Sequence, residues 1–362
     1  MFVMMGGLWA FIISIVVIVI VILSPWKKNT SEEDIRAEFP TEETIAEEPA
    51  VSSGDAEEIV YDPPEYDFKL DEITVEIDGL DSEYTIAFVN DVHMITDHEA
   101  GDVLEENLPT VEDRYEKLSI TEDGVHGEEL WPEVIKFLNY NDFDAVVFAG
   151  DLLDYCSHSN MEKLQEGFQA LKYPEDKIMY LRSDHDYGGW YGGSVFTDTD
   201  GFIAQSELWD GDDSNKMCIE FDDFMIVGVN KSYQNLSEDR LQFLTGKLGK
   251  QKPVIVATHV PFYSEVDDSL AELSMEVRNR IYYWNPENSS YAPDENTQKF
   301  IDEMYDSDSS VVQIVAAHLH AAWDGKVTEN LPEHIFAPTF EGKIGIIHVV
   351  GTENKSRDEE NG

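Results

Sequence analysis

Five short stretches of this 362-residue chain place carboxylates and imidazoles side by side: "DVH" (91–93), "GDLLD" (150–154), "SDHD" (183–186), "THVPF" (258–262) and "AHLH" (317–320). Half of the ten histidines fall within them. Each stretch alone is commonplace, a turn, a helix cap or a satisfied core histidine. Together they are not, because every one lies where an apolar run ends. Carboxylate and imidazole donors suit Zn, Mn and Fe ions, and there are too many here for a single ion. Two ions about 3.5–4 Å apart, bridged by a carboxylate, would clamp an ester oxygen and lower the pKa of a bridging water. Such chemistry suits in-line attack on phosphorus.

The elements that must position these groups show in the rhythm of the chain. The runs "YTIAFVND" (84–91), "FDAVVFAGD" (143–151), "IMYLRSDHD" (178–186), "MIVGVN" (225–230), "PVIVATH" (253–259), "VVQIVAAHLH" (311–320) and "GKIGIIHVV" (342–350) read as buried strands. Helical spacing marks "LWPEVIKFLNY" (130–140), "MEKLQEGFQAL" (161–171) and "SEDRLQFLTGKL" (237–248), the last with Ser237 as its cap. Strands alternating with helices predict an α/β core, with a mixed sheet or a sandwich of two. One domain is expected over residues 70–352. Open α/β sheets bind ligands beyond the carboxyl ends of their strands. Side chains at i and i+2 of an extended segment share one side, so Asp91 and His93 should reach one centre, as should His318 and His320.

Charge and composition bound the surroundings. With 75 acidic and 24 basic residues the formal net charge is −51, which makes nucleic acid a poor partner. The first 26 residues carry no charged side chain and are apolar for longer than a bilayer requires, so a single-pass anchor is expected there. Lys27 and Lys28 follow it, too thin a margin to assign the side of the membrane. Residues 27–69 read as an acidic disordered linker, with twelve acidic residues between Ser31 and Asp62, and residues 353–362 as a polar tail. Cys156 and Cys218 are the only cysteines and leave the redox compartment open.

At the five stretches the sequence resembles the calcineurin-like metallophosphoesterases, whose pattern runs D-x-H, G-D-x-x-D, G-N-H-[DE], a histidine, then G-H-x-H. The resemblance spans about residues 84–350. It implies a β-sandwich of two mixed sheets flanked by helices and a dinuclear site of Mn, Fe or Zn ions. By that resemblance Asp91, His93 and His320 hold one ion and Asp184, His259 and His318 the other, with Asp151 between them. His185 matches the histidine that assists the reacting phosphoryl group, and Asp154 or Asp186 would orient it. Two departures stand out. Asp184, preceded by Ser183, replaces the family asparagine and adds a negative charge that Arg182 would offset by pointing inward, and Ala317 replaces a glycine at a turn. Trp190 and Tyr191, in "YGGWYGG" (187–193), are candidates for a substrate wall.

The expectation is therefore a membrane-anchored phosphoesterase that hydrolyses a phosphate ester with metal-activated water. Mono-, di- and pyrophosphate esters, nucleotide- or lipid-linked ones included, all remain open as substrates. The alternatives are a metal-binding module of the same fold with little or no turnover, and a tethered structural protein holding no metal.

Overall fold

A computed structural model describes residues 60–96, 103, 105–118, 120–187, 217–229, 236–249, 252–287 and 291–352. The expected anchor, most of the expected linker, the tail, Trp190 and Tyr191 lie outside the described residues. Among the described residues no helix is long and apolar enough to cross a membrane.

Two sheets form the centre. The first has five strands, β1 (Lys69–Ile77), β2 (Tyr84–Val89), β3 (Ala145–Phe148), β4 (Ile178–Tyr180) and β11 (Lys343–Gly351), in the order β1-β11-β2-β3-β4. The second has six, β5 (Cys218–Glu220), β6 (Met225–Val229), β7 (Val254–Thr258), β8 (Val311–Ala316), β9 (Trp323–Lys326) and β10 (Pro332–Ile335), in the order β5-β6-β7-β8-β10-β9. Both are mixed: β2, β3 and β4 are mutually parallel while β11 runs against β2, and β6, β7, β8 and β10 are parallel between two antiparallel edges.

Strand periodicity distributes the core. Ile86 and Phe88 face inward with Val147, Met179 and Leu181 and meet Ile226, Ile255, Ala257 and Val315 of the second sheet. Ala87, Val89, Val146 and Phe148 face outward, under helices. The sheets approach closely at Gly228, where an added Cβ would lie 2.5 Å from Leu181 Cδ2. Helix α2 (Gly127–Tyr140) covers the first sheet with Leu130, Trp131, Val134, Ile135 and Leu138, spaced along one helical face, and α3 (His158–Gln169) packs beside it. Each such fully buried side chain contributes about 1.5–3 kcal/mol. Helices α5 (Glu238–Leu248) and α7 (Glu295–Tyr305) cover the second sheet through Leu244, Phe300, Ile301 and Met304. The hydroxyl of Ser237 accepts from Arg240 N, so the expected cap is in place.

Three details differ from the sequence reading. Tyr66 and Phe68, assigned to the linker, pack against the outer core of the first sheet, so the domain begins before residue 70. Strands β1, β5, β9 and β10 were not legible: β1 alternates but is half exposed along the sheet edge, β5 has three residues, and β9 and β10 have four each. Helices α1 (Leu108–Lys117) and α6 (Ser269–Arg278), with one or two buried residues each, also escaped, as did α7, although it buries Thr297, Phe300, Ile301 and Met304.

Candidate metal centre

Five neighbouring parallel strands, β2, β3 and β4 of one sheet and β7 and β8 of the other, deliver the five stretches to one edge of the sandwich. Their loops are stitched together by main-chain hydrogen bonds: Asp91 N to Gly150 O at 3.0 Å, His93 N to Asp151 O at 2.9 Å and Met94 N to Leu152 O at 2.9 Å. Two bonds cross between the sheets, His259 Nδ1 to Ala149 O at 2.7 Å and His318 N to Asp91 Oδ2 at 3.1 Å.

The backbone at these turns is left-handed. Asp91, His93, Asp151, His318 and His320 have φ of 48°, 49°, 51°, 74° and 56°; among the described residues only Asn279 joins them outside glycine. Each such residue costs about 1–2 kcal/mol, held in place by the stitched loops. The extended i, i+2 geometry expected from sequence is thus corrected: alternate left-handed residues aim these side chains. Gly150, at φ 89°, has no room for a Cβ, which would lie 2.8 Å from Leu181 O and 2.9 Å from His259 Nδ1. Ala317 has no positive φ, so losing the family glycine there carries no backbone strain.

The side chains converge in two tight sets that share Asp151. In the first are Asp91, His93, Asp151 and His320, with all donor atoms within 4.8 Å of one another; in the second are Asp151, His259 and His318. His318 and His320 therefore part company, one to each set, as the family resemblance implies and not as extended i, i+2 geometry would have it. Nε2 of His93 lies 3.1 Å from Nε2 of His320, 3.7 Å from Asp91 Oδ1 and 3.5 Å from Asp151 Oδ2. Nε2 of His259 lies 3.1 Å from His318 Nδ1 and 3.2 Å from Asp151 Oδ2. Ligands about 2.0–2.1 Å from a tetrahedral Zn ion stand about 3.3 Å apart, and these separations match that edge. The donor set therefore fits two cations. Asp184, the first residue of the single turn α4 (Asp184–Tyr187), is not a member of either tight set.

Hydrogen bonds behind the donors settle which nitrogen faces inward. Ala149 O can only accept, so His259 donates from Nδ1 and turns Nε2 to the centre. His93 does the same through Nδ1 to Asp154 Oδ1 at 2.8 Å. His185 donates from Nδ1 to the Asp154 carbonyl at 2.9 Å, leaving Nε2 4.0 Å from Asp151 Oδ2. Asp154, fully buried, also receives a two-pronged contact from Arg114 of α1, Nε to Oδ2 at 2.7 Å and a terminal nitrogen to Oδ1 at 2.6 Å. Asp186 has another task. Its carboxylate accepts from the N–H groups of Asp151, Leu153 and Ser183 and braces the loop, so Asp154 and not Asp186 is the histidine partner. Ser183 Oγ donates to Asp151 Oδ1, and Arg182 is buried beside it. His185 and His320, 13% and 14% exposed, are the open side of an otherwise buried cluster.

Two imidazoles facing each other at 3.1 Å cannot both carry an inward proton. Burial opposes charge on all of them, yet Asp151 and Asp91 hold His259 up to about 10, while burial beside charged His259 pushes His318 well down. The other pair divides alike: burial opposes His93, but Asp154 raises it, and burial takes His320 down to about 4. Burial would raise Asp91 and Asp151, but the surrounding imidazoles hold both low. Burial, then Asp151, lifts Asp186 to about 6, and burial raises Asp184. A cation held by these donors would compete with protons for the paired nitrogens.

Sequence reasoning missed Arg114, Tyr282 and Tyr291. Tyr282 stacks on His318 with ring centroids 4.3 Å apart, and Tyr291 meets the same ring edge-on at 5.4 Å. None belongs to a motif; the single signal was an arginine three residues after Val111 in a helical register.

A two-sheet α/β sandwich carrying Asp and His donors at its strand ends is a metallophosphoesterase-type fold. Residues 84–322 match the family model described as calcineurin-like phosphoesterase, and the chain belongs to that family. Among solved structures it is similar to a dimetal phosphatase from Danio rerio, at 12% identity and TM-score 0.45, covering 71% of this chain and 88% of that one. It is also similar to a purple acid phosphatase from yellow lupin seeds, at 13% identity and TM-score 0.39, covering 75% of this chain and 45% of that one. No curated protein matches the sequence.

Proposed function

We propose that the chain is a metal-dependent phosphoesterase that acts on a phosphate ester, tethered to a membrane by its first 26 residues. The observation that carries this reading is the single carboxylate, Asp151, common to two tight donor sets. In this reading Asp91, His93 and His320 hold one divalent ion, His259 and His318 the second with Asp184 drawn in, and Asp151 lies between. Such ions, Mn, Fe or Zn, supply Lewis acidity and make water nucleophilic at neutral pH. The protein's own part is to fix ring orientation through Asp154 and Ala149 O, and to keep the donors dry. His185, at the open side with Nε2 inward, is suited to give a proton to the leaving oxygen or to bind the phosphoryl group.

The test is metal analysis beside a panel of phosphomonoesters, diesters and pyrophosphates. Turnover lost on chelation and regained with Mn²⁺ is expected. In His185→Ala, kcat should fall about 10²–10⁴-fold at unchanged metal content. Bound metal with no turnover on any substrate would make the chain a binding module instead, and no metal after Mn²⁺ loading would end both readings.

A further inference from the structure

The helix inserted after the first motif reaches into the site. Helix α1 is held over the loops of the first and second motifs by a small apolar cluster, Val111 with Ile95, Val103 and Tyr155. Tyr115 ties its far end down by donating to Glu128 Oε1 at 2.8 Å and stacking on His126. Arg114 is three residues from Val111, on the same inward face. Its guanidinium is seated on both oxygens of Asp154.

That carboxylate has several duties at once. Oδ1 accepts from His93 Nδ1 and stands 3.5 Å from His185 Nδ1, while the main-chain oxygen of the same residue accepts the hydrogen bond from His185 Nδ1. The rings of His93 and His185 meet edge to face with centroids 4.7 Å apart. A carboxylate free to rotate about its terminal torsion would serve His93 in some orientations and not in others. The planar guanidinium removes that freedom, because a fork on both oxygens fixes the plane of the group. It also supplies a full positive charge to a fully buried carboxylate that meets the rings of His93 and His185.

We propose that Arg114 is a positioning residue of the metal centre, clamping Asp154 so that its carboxylate orients the donor His93 while its main-chain oxygen holds the phosphoryl-facing His185. The inference rests on the phosphoesterase reading for its effect on turnover, but not for its effect on metal binding. It makes the inserted helix part of the active machinery. Loss of the clamp acts on rate and on the first ion's affinity, and leaves substrate binding little changed.

The test uses the full chain with Arg114→Ala, Arg114→Gln and Arg114→Lys. Mn²⁺ affinity is titrated by electron paramagnetic resonance, and steady-state kinetics are run on p-nitrophenyl phosphate and its diester. Arg114→Ala should weaken Mn²⁺ binding about 10–100-fold and lower kcat by a similar factor, with KM within about threefold of the parent. Guanidinium ion at millimolar concentration should restore part of both in Arg114→Ala, and a point charge in Arg114→Lys should restore little. Should Arg114→Ala not fold, Arg114→Gln, which keeps one donor and the stem, takes its place in the comparison. Parental Mn²⁺ affinity and kcat in the substituted protein overturn the proposal, as does full activity in Arg114→Lys. Failure of the wild type to turn over any ester counts against the functional reading alone, since the Mn²⁺ titration still decides whether Arg114 positions the site.

Discussion

Glu333 on β10 is a buried carboxyl group for which no lowering charge among the described residues stands beside the cost of burial. The residue is 1% exposed, Oε1 accepts a bond from Phe262 N at 3.0 Å, and Oε2 has no hydrogen-bond partner among the described residues. Burial pushes its pKa from 4.5 up to about 8, against that one bond. The sign follows from proton counting. Between these two values the unfolded chain has released the proton and the native protein has kept it, so stability falls as pH rises and levels off above the folded value. From pH 5 to pH 8 the loss from this one group is about 3 kcal/mol, at about 1.4 kcal/mol per pH unit over most of the range. Glu333→Gln keeps the shape and the carbonyl acceptor for Phe262 N but cannot ionise. Urea unfolding of both proteins at pH 5, 6, 7 and 8 isolates the term, because the slope that comes from all the other acidic residues is common to both. The variant should gain on the parent steadily with pH and exceed it by about 3 kcal/mol more at pH 8 than at pH 5. A difference that stays flat across the range would refute the reasoning and mean that Glu333 is ionised in the native protein.

Two further outcomes are expected. Gly150→Ala forces a Cβ against Leu181 O at φ 89° and should destabilise the metal-free protein by about 2 kcal/mol, read as a lower thermal midpoint; an unchanged midpoint would show that the turn relaxes freely. With a net charge of −51, long-range repulsion should hold highly charged anionic substrates away, so kcat/KM for such esters should rise between about 0.02 M and about 0.2 M salt as screening shortens; a fall would mean that the local positive field of the site dominates.

Much of the site could be read in advance because its parts are local. A strand that ends in Asp-x-His or His-x-His has its donors within a few residues of a buried run, and burial makes a polar terminus conspicuous. The Asp154 carboxylate was legible as a support for the same reason, as was the Ser237 cap. What escaped is contact between segments distant in sequence. Arg114 lies 40 residues from Asp154 on a helix with one buried position, and no periodicity announces its partner. The left-handed turns that aim His318 and His320 into different sets escaped too, because an i, i+2 argument presumes extended backbone; only the family resemblance implied the split. Asp186 looked equivalent to Asp154 by spacing, yet three main-chain donors that claim it belong to loops brought together only by the packed sheets.

The amino-acid sequence by itself therefore determined the α/β class, the donors at the strand ends and the family, since these depend on residue type and short-range pattern. Tertiary structure alone decided which ring nitrogen faces inward, that Asp186 braces a loop, and that an inserted helix supplies an arginine. Those features depend on left-handed turns and cross-sheet hydrogen bonds, which exist only once two sheets have packed and locked their loops together.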